Sequence, residues 1–187
     1  DGGLGTAGSG DCEPAQQRPQ VHPRRGPRRG RTAGPGAGNA RLADRASVAG
    51  SVFLCEGFHA IGEVRFVGAA IGGGLDCNGG RFDNEDGDAL YFNRASVAGN
   101  VFLRNGFHAT GSVLLTGAKI DGNLECLRGR FENRKSNALS FDLAEISGSV
   151  FLSTDFRAVG GVRLLGSTIG RDLSCSGGRF ENDGMSA

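Results

Sequence analysis

From Asn39 onward, apolar residues recur in pairs with one residue between them, and glycines separate the pairs. Val52/Leu54, Val64/Phe66, Leu75/Cys77 and Leu90/Phe92 come first. Residues two apart on a strand share a face, so each pair predicts a short strand with one buried side. The pattern then repeats itself. DRASVAGSVFLCEGFHAIG (44–62) returns as NRASVAGNVFLRNGFHATG (93–111) and as LAEISGSVFLSTDFRAVG (143–160). LDCNGGRF (75–82), LECLRGRF (124–131) and LSCSGGRF (173–180) follow at the same 49-residue interval. A fixed period of this size marks a repeat architecture.

The unit is itself double. ASVAGSVFL (46–54) aligns with AAIGGGLDC (69–77), which gives half-units of 23 and 26 residues in alternation. Each half-unit carries four apolar stations. The first is an Ile or Val after a small residue, from Val48 to Ile169. The second is a pair, from Val52/Leu54 to Leu173/Cys175. The third is a phenylalanine: Phe58, Phe82, Phe107, Phe131, Phe156 and Phe180. The fourth is another pair, from Val64/Phe66 to Val162/Leu164. Four short sides predict a coil of square section with glycines at its corners. One coil cannot bury its own apolar face, whereas stacked coils can. The expected fold is all-β: a quadrilateral β-helix of about six coils over residues 39–187, the first and last incomplete.

Composition sharpens this picture. Glycine reaches 34 residues with no tryptophan, against a helical globule. Residues 1–38 have a different character, and PRRGPRRGRTAGPGAG (23–38) has almost nothing to bury, which predicts a disordered tail. Arg/Gly segments can bind nucleic acid without specificity, but a solvated linker is the simpler reading. Net charge is +1, so no strong field draws nucleic acid, and no specific nucleic-acid partner is expected. From Arg45 onward 14 basic residues face 16 acidic ones, too balanced for mimicry of DNA. No apolar run is long enough to span a bilayer. Five cysteines, an odd number, favour reduced thiols and a cytoplasmic location over a disulfide framework. Ala187 stands where a fourth station would begin, so a piece of a longer array is expected, with membrane association through other regions left open.

The runs ASVAG SVFLC EGFHA (46–60) and ASVAG NVFLR NGFHA (95–109) resemble pentapeptide repeats. That resemblance implies a right-handed quadrilateral β-helix. The IGG-LDC-GGRF pattern is similar to long bacterial β-helix proteins, mostly uncharacterised, for which the resemblance implies architecture and hardly any activity. In strict five-residue register Phe53, Phe102 and Phe151 would point inward. The paired register turns them outward, beside Asp76, Glu125 and Ser174, and is favoured because it buries two aliphatics per strand and leaves the acids in water.

Three sets of residues are candidates for chemistry. Cys77, Cys126 and Cys175 occupy a core station, two coils apart, too far for a disulfide or a shared metal, and read as packing residues. His59, Asp83, His108, Glu132, Arg157 and Glu181 follow the phenylalanine station and alternate in charge, which reads as a structural ladder of ion pairs. Phe53, Phe102 and Phe151 form a possible interaction stripe. No catalytic, cofactor or metal residue is assigned, and no nucleotide-binding or hydrolase motif occurs. The sequence therefore points to a non-catalytic scaffold or protein-interaction module without a cofactor. Its partner would be an unknown protein or a second copy meeting the open coil ends. The alternatives are a fragment of a polysaccharide-acting β-helix enzyme, or the β-helix part of a membrane-associated protein.

Overall fold

A computed structural model describes residues 43–182. The boundary expected near residue 38 and the tail before it lie outside the described residues. What is described is a β-solenoid of about six turns with three parallel sheets.

The first sheet has six two-residue strands: Ser47–Val48, Ala70–Ile71, Ser96–Val97, Lys119–Ile120, Glu145–Ile146 and Thr168–Ile169. The second is built the same way from Val52–Phe53, Leu75–Asp76, Val101–Phe102, Leu124–Glu125, Val150–Phe151 and Leu173–Ser174. The third holds both remaining stations. His59–Ile61 and Val64–Arg65 both pair with the long strand Arg81–Tyr91, followed by His108–Leu114, Arg130–Ser140, Arg157–Arg163 and Arg179–Glu181. The four sides expected from the sequence thus become three sheets. The third bends where the ladder register shifts, between Thr110 and Val113 for example, instead of breaking. The extra residues of alternate coils bulge outward at that bend, and Lys135 reaches across one coil to Asp86 at 2.7 Å.

The core is a set of stacked columns. Val101, Leu103, Leu124 and Cys126 are fully buried, as the paired register requires. Six phenylalanine rings, Phe58 through Phe180, stack along the axis at 5.0–5.3 Å between centroids with tilts of 36–44°. These rings come from two different backbone positions. In one coil type the corner closes on the phenylalanine itself, with Phe58 N–H donating to the Cys55 carbonyl. In the other it closes on glycine, with Gly80 N–H donating to the Cys77 carbonyl, and Phe82 follows two residues later. Glycine is needed at that corner. A Cβ on Gly80 would lie 2.4 Å from the Leu54 carbonyl oxygen, and one on Gly129 would lie 2.5 Å from that of Leu103.

Candidate functional site

The outward face of the second sheet settles the orientation of the aromatic stripe. Phe53, Asp76, Phe102, Glu125, Phe151 and Ser174 are successive ladder partners. Phe102 faces out between buried Val101 and Leu103, so the outward register holds. Phe53 is 54% exposed, while Phe102 and Phe151 are half-buried. The cover on Phe102 comes from its own coil. The Arg104 guanidinium lies 4.1 Å above the ring centroid and bonds the Glu125 carboxylate.

Asp76 departs from the expected water contact, with only 5% exposure. Its column neighbours Phe53 and Phe102 shield it on both sides, and it accepts a 2.9 Å bond from the Asn78 N–H.

The charge ladder takes a different register from the one the sequence suggests. His59 lies opposite Arg81, not Asp83, and Asp83 lies opposite Ile61. The alternating set therefore splits into two columns. One holds His59, Arg81, His108, Arg130, Arg157 and Arg179. The other holds Ile61, Asp83, Thr110, Glu132, Val159 and Glu181. The reason is the corner: phenylalanine closes it in one coil type and glycine in the other, so alignment on the phenylalanines is two residues off. Alignment on the residue that closes the corner, Phe58 in one coil and Gly80 in the next, gives the observed columns, with one more residue between the second station and the corner in the phenylalanine-closed coils.

Ion pairs then run diagonally between the columns. Asp83 accepts from His59 at 2.8 Å, from Arg81 at 2.7 Å and from the Thr110 hydroxyl at 3.0 Å. Partial burial pushes its carboxyl up, but these three bonds and the Arg81 charge more than offset that and hold its pKa at about 2. Arg157 pairs with Glu181 at 2.9 Å, and His108 sits 3.7 Å from Glu132. His59 and His108 do not converge on a shared acid. Among the described residues no group of three His, Cys, Asp or Glu side chains could hold a metal ion.

The cysteines divide. Cys77 and Cys126 are fully buried, and burial together with the neighbouring Asp76 and Glu125 charges pushes their thiols far up. Cys175, expected in the core, is exposed. It lies in the last described coil, whose strands have a ladder partner on one side only, and Leu173 and Phe180 there are about half exposed as well. Under native conditions a thiol reagent is expected to modify Cys175 and to spare Cys77 and Cys126 until the chain unfolds. Mass spectrometry of the labelled peptides reads this out, and native labelling of Cys126 would contradict the fold.

The described residues form an all-β β-solenoid, and no helix among them is long and apolar enough to cross a membrane. Comparison with protein-family models, with curated proteins and with solved structures finds no match to the chain.

Proposed function

We propose that the chain is a non-catalytic β-solenoid scaffold, a protein-interaction module of a bacterial pentapeptide-repeat-like protein. The observation that carries this reading is the outward aromatic column. A solvated sheet face does not need Phe53, Phe102 and Phe151 at every second rung, and buried contacts of aromatic side chains dominate protein interfaces. The carboxylates a hydrolytic site would use support the same reading. Asp83 and Glu181 are already held by arginines, and Glu125 by Arg104. The partner is an unknown protein or a second copy meeting the coil ends.

The triple variant Phe53→Thr/Phe102→Thr/Phe151→Thr tests this. Threonine suits a strand and leaves the core untouched. Each substitution is expected to cost about 1 kcal/mol or less, including loss of the Arg104 contact. Quantitative cross-linking in the source cells should then lose the proteins that the wild-type chain captures through this face. Recovery of the same proteins at the same yield would reject the aromatic column as an interface.

A further inference from the structure

The register of the third sheet puts one basic residue from every described coil in a single outward column. His59, Arg81, His108, Arg130, Arg157 and Arg179 are successive ladder partners. Rungs of a β-ladder are about 4.8 Å apart, so the column extends about 24 Å along the solenoid axis. Like charges on adjacent rungs repel and destabilise a sheet. The flanking column supplies carboxylates only in alternate coils, at Asp83, Glu132 and Glu181. They relieve His59, Arg81 and Arg157 directly. Among the described residues no carboxylate lies within ion-pair distance of Arg130 or Arg179.

These two arginines border the same depression. It measures about 450 Å³ and is lined by Arg128, Arg130, Arg157 and Arg179, with Asp155 the acid on its rim. Gly177, at φ +74°, turns the corner there without a side chain and leaves the depression open. Four guanidinium groups thus surround a space with one carboxylate on its rim and Glu181 beside it.

We propose that this column is a binding strip for a narrow anionic polysaccharide, with its carboxylate or sulfate groups seated on Arg128, Arg130 and Arg179. Guanidinium forks match such anions with two parallel hydrogen bonds. The width of the ligand follows from the flanking acids. Asp83, Glu132, Glu181 and Asp155 border the strip on both sides and repel a broad polyanion such as a duplex. Single-stranded nucleic acid binds through aromatic platforms on which its bases stack. Neither of the two columns carries an aromatic residue, and Phe156, which also lines the depression, is fully buried and offers no ring face for stacking. This site lies on the third sheet and does not depend on the aromatic column of the second.

The test uses the full chain and fluorescent polygalacturonate oligosaccharides, titrated at several salt concentrations. Arg130→Gln/Arg179→Gln is compared with Arg94→Gln/Arg171→Gln, which removes the same charge from turns on either side of the first sheet. Both variants keep the arginines of residues 1–38, so that contribution cancels. Matching thermal melts confirm that both fold. The column variant is expected to bind about tenfold more weakly and to flatten the salt dependence by about two charges, while the control binds as wild type does. Equal losses in the two variants, or no saturable binding by the wild type, would overturn the proposal. So would equally tight binding of oligothymidylate with the same loss in the column variant, which would make the strip a nucleic-acid site.

Discussion

Phe131→Ala is expected to lower the unfolding free energy by about 3–5 kcal/mol, and Phe102→Ala by about 1 kcal/mol or less. Phe102 ends a two-residue strand of the second sheet and Phe131 stands near the start of a long strand of the third, little more than one coil further along the chain. They differ in which way they face. The Phe131 ring is fully buried, 5.0 Å from Phe107 and 5.3 Å from Phe156. On the backbone ladder it lies between Ala109 and Ala158, both buried and both too small to refill the space it leaves. Truncation therefore removes the transfer energy of a full aromatic side chain and leaves a cavity that a stacked column closes poorly. It also weakens two coil–coil interfaces at once, and in a solenoid those nearest-neighbour interfaces supply the stability. Phe102 has only its outer ring face and the Arg104 guanidinium to lose. Urea unfolding of both variants, followed by circular dichroism, makes the comparison. A Phe102 variant as damaged as the Phe131 variant would contradict the outward register.

The sequence carried the axial repeat and the inward pairs because both are matters of period. Val101 and Leu103 face in together since strand side chains alternate, and no tertiary information is needed to say so. The lateral register is a different matter. The six stacked rings suggest that their backbones align, but Phe58 closes a corner while Phe82 sits inside a strand. Ring-to-ring contact hides a two-residue offset, and that offset converts an apparently alternating ladder into one basic column and one mixed column. Exposure is also set by neighbours that no single coil specifies. Asp76 is buried because two phenylalanines flank it, and Cys175 is exposed because its ring of strands is stacked on one side only. The merging of the third and fourth sides into one sheet follows from the insertions of alternate coils, which bulge out while the ladders on either side continue.

Gly111→Ala is expected to cost about 3–5 kcal/mol, against about 1–3 kcal/mol for Gly62→Ala. Both glycines occupy the bend of the third sheet, in equivalent coils one repeat apart. Both have backbone angles that L-residues rarely adopt, φ +113° at Gly111 and φ +100° at Gly62, so alanine strains either position. Only Gly111 adds a collision. A Cβ there would meet the Asn84 carbonyl oxygen at 2.3 Å and that of Gly87 at 2.7 Å, both main-chain atoms of the preceding coil. At Gly62, in the first described coil, nothing lies within 4 Å. The difference between the two variants therefore isolates the contribution of coil-to-coil packing from that of backbone strain. Gly160 repeats the geometry of Gly111, at φ +118° with the Asn133 carbonyl oxygen 2.2 Å from its virtual Cβ, and its alanine variant should match that of Gly111. Denaturant midpoints give the energies, and hydrogen exchange at residues 84–88 locates the damage for Gly111. Equal midpoints for the Gly62 and Gly111 variants would mean that the insertion moves aside freely. The bend would then be a flexible corner, and its charged insertions could not be counted as fixed parts of the solenoid surface.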